Sequence, residues 1–218
     1  MNRYDKRSRA LATCLSALAG YVDAIGFLSL GGFFVSFMSG NSTRLGVGLA
    51  QGSTVAVIAI GLIGTFLVGV IAGSFTGHIA GPHRRPAVLA LVTMLLTVAA
   101  ACASAGFPHA AIVAAGLAMG AENAIFESDG EVHIGLTYMT GTLVKLGQRI
   151  TAALLGGERM AWAPYLLLWL GLVAGSVAGA LVHPYLGLGG LWIAAGAAAV
   201  LVLSAAKIGP DGDGPMSA

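Results

Sequence analysis

Met38-Ser39-Gly40-Asn41-Ser42-Thr43-Arg44-Leu45-Gly46 is written a second time, 101 residues later, as Met139-Thr140-Gly141-Thr142-Leu143-Val144-Lys145-Leu146-Gly147. Upstream, Gly20-Tyr21-Val22-Asp23-Ala24-Ile25 returns as Gly120-Ala121-Glu122-Asn123-Ala124-Ile125, an offset of 100. Downstream, Gly69-x3-Gly73-x3-Gly77 returns as Gly171-x3-Gly175-x3-Gly179, an offset of 102. Three matches in one order at a nearly constant offset divide the chain into two repeats. Their bounds are 11–108 and 109–206. A basic start, 1–10, precedes them, and a tail of Gly, Pro and Asp, 207–218, follows and reads as disordered.

Composition decides the solvent of both halves. Of 218 residues, 57% are hydrophobic and 9% charged, against about 25% charged in a soluble domain. Five of the charges lie in the first nine residues and three in the last twelve. The remainder cannot solvate a globular surface. A mean hydropathy of +0.87 and 33 glycines agree with membrane helices. A soluble enzyme, a nucleic-acid binder and a disordered chain are excluded. Cys14 and Cys102 form neither a disulfide framework nor a metal spacing and read as core residues.

A crossing helix needs ~20 predominantly apolar residues. Leu11–Leu30, Thr54–Gly77, Pro86–Pro108, Ala110–Phe126, Ala161–Leu181 and Gly187–Ala206 qualify or nearly do. Phe33–Ala50 is interrupted by the polar run Ser39–Arg44, with the break expected at Ser39–Thr43, and Val132–Leu155 by Met139-Thr140-Gly141-Thr142, followed closely by Lys145 and Arg149. They read as broken or re-entrant helices shielded by protein. The expected fold is an all-α membrane protein with six transmembrane helices and two broken ones. Three crossings per half make the repeats inverted. Arg3, Lys6, Arg7 and Arg9 put the amino terminus in the cytoplasm, and six crossings bring Arg84, Arg85, Arg149, Arg159 and Lys207 to the same side. Both termini are then cytoplasmic. The first apolar run continues unbroken to Leu30 and shares its sequence with a later helix, so it reads as a span rather than a cleaved signal.

Inverted repeats place a site near the midplane, where interrupted helices of both halves meet. The candidate binding residues are Asp23, Ser39, Gly40, Asn41, Ser42 and Arg44 in the first half. In the second they are Glu122, Asn123, Thr140, Gly141, Thr142 and Lys145. Asp23, Arg44, Glu122 and Lys145 sum to zero charge and are the charges closest to membrane depth. Asp23 and Arg44 are expected to form one electrostatic unit, folded together by Gly31-Gly32. A helix restarting after Gly40 would aim free N–H groups at an anionic solute. The bland alternatives are structural salt bridges and basic side chains snorkelling to the headgroups.

The Gly-x3-Gly faces are explained by close helix packing, with a homo-oligomer as a further use. The five histidines fall singly, so no metal is expected. Glu127, Asp129 and Glu131 read as a solvated acidic loop. No cofactor and no catalytic constellation are visible, so no enzyme is expected.

Gly20–Phe27 followed by Phe33–Arg44, with Ala121–Phe126 and Met139–Leu143 later, resembles the signature of the YoaK-like bacterial membrane proteins. The resemblance covers nearly the whole chain and implies the bacterial cytoplasmic membrane. That family is of unassigned function and supplies no substrate. The residues themselves favour a small-molecule permease, carrier or channel, for an anionic solute. The competing readings are a structural or partner-binding membrane protein and an intramembrane enzyme.

Overall fold

The computed structural model describes residues 5–128, 131–132 and 135–207. The expectations for Arg3, Asp129, His133 and the tail from residue 208 lie outside these residues. The described helices are α1 (Lys6–Ser29), α2 (Met38–Ala50), α3 (Val55–Ala80), α4 (Arg84–Ser104), α5 (Pro108–Glu122), α6 (Met139–Leu154), α7 (Ala163–Leu186) and α8 (Leu191–Lys207). A 3-10 turn, Asn123–Phe126, extends α5. A two-residue ladder pairs Glu127 with Val132 and Ser128 with Glu131, the only extended pairing among the described residues.

Four helical runs among the described residues are long and apolar enough to cross a membrane: Lys6–Ser29, Val55–Ser104, Pro108–Phe126 and Ala163–Ala206. At ~1.5 Å per residue, the second and fourth are roughly twice the ~30 Å hydrocarbon thickness. Each is interrupted near its middle by a glycine in the left-handed region, Gly81 (φ 53°) and Gly187 (φ 52°). These glycines divide the runs into α3 and α4, and α7 and α8. The chain is an all-helical, multi-pass membrane protein.

Small residues set the centre of the bundle. On α5, Ala111, Ala115, Gly116, Ala118, Gly120 and Ala121 are buried, so neighbours can approach on several sides. The exposed apolar side chains gather on the outer helices, among them Val57 and Ile71 of α3 and Leu181 of α7. That surface suits lipid and not water.

Glycines carry the closest crossings. A Cβ on Gly171, Gly175 or Gly179 of α7 would strike the carbonyls of Thr13, Ala17 and Tyr21 on α1. On α3, Gly69 and Gly73 sit in the same way against Leu117 and Ala121 of α5. The reciprocal contacts are Gly20 on Leu172 and Gly120 on Phe66. Rising numbers on both partners make each pair parallel. These faces are therefore consumed within the chain, which corrects the expectation that they mediate a homo-oligomer. The cysteines also depart from expectation: Cys14 is exposed and Cys102 half-buried. Cys14 lies off the α1 face on which Leu11, Leu15 and Leu18 are buried.

Polar contacts fix which helix ends lie together. An Arg85 guanidinium N–H donates to Ser8 Oγ (3.2 Å), and the guanidinium lies 5.4 Å from the Phe126 ring. Arg84 pairs with Glu127 at 3.3 Å, and Ser74 Oγ donates to the same carboxylate at 2.6 Å. The start of α1, the α3–α4 turn and the end of α5 thus share one end of the bundle. Glu127 is bonded there, contrary to the expected solvated loop. At the other end, Ser29 Oγ lies 3.0 Å from His183 Nε2, and Trp192 Nε1 donates to Ser104 Oγ at 3.0 Å.

Candidate functional site

Irregular backbone inside a membrane is stable only when its N–H and C=O groups find partners within the protein. The segment between α1 and α2 meets this demand with two side chains. Gly31 (φ 62°) and Gly32 (φ 99°) turn the chain back toward α1. Asp23 Oδ1 then accepts from Val35 N (2.6 Å) and Ser36 N (2.8 Å), and its Oδ2 accepts from Ser36 Oγ (3.0 Å). Asn41, fully buried, clasps Phe34 by accepting from its N–H (3.1 Å) and donating to its C=O (2.7 Å). Along this turn the Phe27 and Phe34 rings meet tilted at a centroid separation of 4.9 Å, and Phe34 and Phe37 meet edge-to-face at 5.1 Å.

The second half has a neutral, side chain-to-side chain counterpart. Asn123 stands at the Asp23 position; its Oδ1 accepts from Thr137 Oγ1 (3.1 Å) and its Nδ2 donates to Met119 O (3.0 Å). Thr137 is the repeat equivalent of Ser36. Ser16 Oγ lies 3.3 Å from Leu136 O and 3.1 Å from Leu168 O, tying this segment to α1 and α7.

Both tethered segments feed the start of a short helix. The breaks precede Met38 and Met139, which corrects the expected breaks within Ser39–Thr43 and Thr140–Thr142. Both stretches are helical; in the first, the Ser42 and Thr43 hydroxyls bond back to Met38 O (2.8 Å) and Ser39 O (3.2 Å), leaving the helical ladder intact. Neither α2 nor α6 has a side-chain cap; Met38 N–H and Met139 N–H turn back to Ser36 O (3.1 Å) and Thr137 O (3.0 Å), so among the described residues the uncapped N–H groups are those of Ser39, Gly40, Thr140 and Gly141.

The two first turns meet at a cleft of about 270 Å³. Its lining is Ser36, Phe37, Met38 and Ser39 from one half, Thr137, Tyr138, Met139, Thr140 and Gly141 from the other, and Phe66 of α3. Eight of these form four pairs across the repeat: Ser36 with Thr137, Phe37 with Tyr138, Met38 with Met139, Ser39 with Thr140. Phe66 is about 17 Å along α3 at ~1.5 Å per residue, close to mid-depth. The lining contains no charged side chain. Its polar groups are hydroxyls and main-chain N–H groups at the positive ends of two helices.

Of the predicted site residues, Ser39, Thr140 and Gly141 line the cleft. Gly40 lies beneath the Phe34 and Phe37 rings. Thr142 is buried and Ser42 exposed. Asp23, Asn41 and Asn123 hold the entering segments. Arg44 stacks over the Phe33 ring at 4.9 Å, and Asp23 and Arg44 make no ion pair, because the Asp23 oxygens are taken by Val35 and Ser36. The expected electrostatic unit is thereby corrected. Lys145 is exposed on α6. Glu122 is fully buried on α5, and neither carboxylate oxygen has a hydrogen-bond partner among the described residues; neither Lys145 nor Glu122 lines the cleft. Ser36, Phe37, Met38, Thr137, Tyr138 and Met139 were missed; the two methionines stand inside the repeated motif, and extending the 101-residue offset two positions upstream finds the other four. Phe66 leaves no such signal.

The comparisons extend the likeness over the whole membrane region. Residues 11–204 match the family described as "Protein of unknown function (DUF1275)". UPF0700 transmembrane protein RA0705 of Rhizobium meliloti (strain 1021) is 38% identical over 199 residues, 91% of this chain and 86% of that protein. UPF0700 transmembrane protein YoaK of Bacillus subtilis (strain 168) is 34% identical over 154 residues, 66% of this chain and 68% of that protein. No solved structure matches the chain. With 11–204 covered and relatives of this similarity, the chain belongs to the YoaK-like DUF1275 family of transmembrane proteins, whose function is unassigned.

Proposed function

We propose that this protein is a small-molecule permease of the bacterial cytoplasmic membrane that takes a small anionic solute in the cleft between the first turns of α2 and α6. The observation that carries this reading is the cleft itself. Equivalent residues of both repeats line it near mid-depth, at the uncapped N-terminal ends of two short helices. Such ends favour negative charge and hydrogen-bond acceptors. The Ser39, Thr140 and Tyr138 hydroxyls would orient the solute, and the Phe37, Phe66, Met38 and Met139 side chains would shed its water.

In this reading α1, α3, α4, α5, α7 and α8 cross, while α2 and α6 enter and leave by one face each. The Arg85–Ser8 bond supports it: α1 starts and α3 ends at one end of the bundle, so α2 does not add a crossing. Arg85 over Phe126 and the parallel α1–α7 pair support the same for α6. The halves are then inverted, with both termini cytoplasmic. Reciprocal glycine contacts, α7 on α1 and α3 on α5, support that two-fold relation. Alternating access follows if one half rocks against the other about the cleft. No enzymatic step is part of this reading.

The test is flux into proteoliposomes of formate, acetate and lactate, with glycerol and choline as neutral and cationic controls. Wild type should carry at least one of the carboxylates above protein-free vesicles and exclude choline. Gly141→Trp should stop that flux without unfolding, since nothing lies within 4 Å of a Cβ at Gly141 and the indole would fill the cleft. Flux that survives this substitution in a folded protein would refute the placement of the site.

A further inference from the structure

A second concavity, of about 350 Å³, lies between the starts of α1 and α7. We propose that it holds one anionic phospholipid, its phosphate at Lys6 and Arg9 and an acyl chain along Met160, Ala163 and Leu167. Lys6, Arg9 and Thr13 line one wall; at successive helical turns they share one face of α1. Only the first two carry charge. The Thr13 hydroxyl is turned back to donate to Arg9 O (3.0 Å), so the wall below the cations is effectively apolar. Opposite them, Met160 and Leu167 are 61% and 54% exposed, an open apolar track continuous with the lipid-facing surface. At its deep end the groove is closed where Gly171 meets Thr13 O. An occupant must therefore leave sideways along Leu167, as an acyl chain does.

Charge complementarity argues for the headgroup. Lys6 and Arg9 make no ion pair among the described residues. The neighbouring Asp5 carboxylate is committed to Ser8 N at 2.7 Å, as the cap of α1, and does not neutralise them. Lysine and arginine at this depth are phosphate binders. Trp162, whose Nε1 donates to Arg159 O at 2.8 Å, lies one residue from the groove wall, where an indole marks the headgroup level. The second repeat supplies an internal control. Its residues at the Lys6 and Arg9 positions are Gly106 and His109, so the repeated fold forms without these cations. They are confined to the end of the bundle that the basic residues assign to the cytoplasm. This inference is independent of what the central cleft carries.

The experiment reconstitutes the full chain in nanodiscs of equal phosphatidylglycerol and phosphatidylethanolamine, then identifies retained lipid by native mass spectrometry. Wild type should retain phosphatidylglycerol preferentially. Lys6→Gln with Arg9→Gln should lower that preference roughly thirtyfold, about fivefold per cation near an anionic headgroup. Neutralising Lys145 and Arg149 together should leave it unchanged. Ala163→Trp, which blocks the groove but keeps both cations, should also abolish retention, so the inference stays testable if the double neutralisation unfolds. Equal retention of the two lipids by wild type would overturn the assignment. So would equal losses from both charge variants, or a copy of the chain bound in place of lipid.

Discussion

Replacing Asp23 separates a structural anchor from a working charge. Its side chain accepts three hydrogen bonds, two from the buried backbone N–H groups that begin the turn into α2. Asp23→Ala leaves the Val35 and Ser36 N–H groups without acceptors. At about 1–3 kcal/mol per orphaned buried group, the loss is roughly 2–6 kcal/mol, a large share of a typical 5–15 kcal/mol stability. Asp23→Asn keeps Oδ1 for both N–H groups, and its NH₂ can donate to the Ser36 hydroxyl. Its cost should stay below about 1.5 kcal/mol. The second half places the neutral pair Asn123 and Thr137 at the same two positions, joined by a Thr137 hydroxyl that donates to Asn123 Oδ1. Thermal unfolding in detergent should therefore rank wild type and Asp23→Asn close together, with Asp23→Ala far below. Carboxylate flux in proteoliposomes should follow the same order. If Asp23→Asn melts like wild type yet carries nothing, the carboxyl group works in transport and the anchoring argument fails. If Asp23→Ala melts like Asp23→Asn, the turn does not depend on these bonds.

The glycine crossings predict opposite signs for one substitution at two kinds of site. Gly175→Ala drives a methyl into the Ala17 carbonyl and should destabilise by about 1–3 kcal/mol. Gly61→Ala, with nothing within 4 Å, should be neutral or stabilising by up to about 1 kcal/mol; equal melting shifts would contradict the α1–α7 packing. Reporter fusions test the crossings. A fusion after Arg85 and one after Gly157 should both report the cytoplasm, and one after Ser53 the opposite side. An external signal after Arg85 would replace re-entrant α2 with a full crossing.

Much was legible in the sequence because apolar run length and internal repetition survive without any knowledge of contacts. Hydrophobic runs of crossing length fixed the membrane class, since lipid admits only segments that satisfy their own backbone. The offset near 100 matched the α1 and α5 elements, the short helices and the glycine faces. It also marked Met38-Ser39 and Met139-Thr140-Gly141, which line the cleft. The errors have a common origin. Ser39–Thr43 was read as the break because polar residues are costly in lipid. Serine and threonine, however, can return their hydroxyls to the helix carbonyls, and the break moved upstream to Gly31–Phe37. Asp23 and Arg44 were paired because opposite charges at membrane depth seek each other. Backbone N–H groups satisfied the carboxylate first, and an aromatic ring received the guanidinium.

By itself, then, the sequence determined the solvent and the two-fold repetition of its motifs, and it pointed to two segments that meet at the cleft, because each is carried by local composition or by offset. Only the tertiary structure decided which polar groups are consumed as scaffold and which face open space. The same hydroxyl or carboxylate can bond its own backbone, a neighbouring segment or a solute, and three-dimensional proximity chooses among them. Asn41 and Ser39 stand two residues apart in one motif. Packing buries the first in the Phe34 clasp and leaves the second at the cleft.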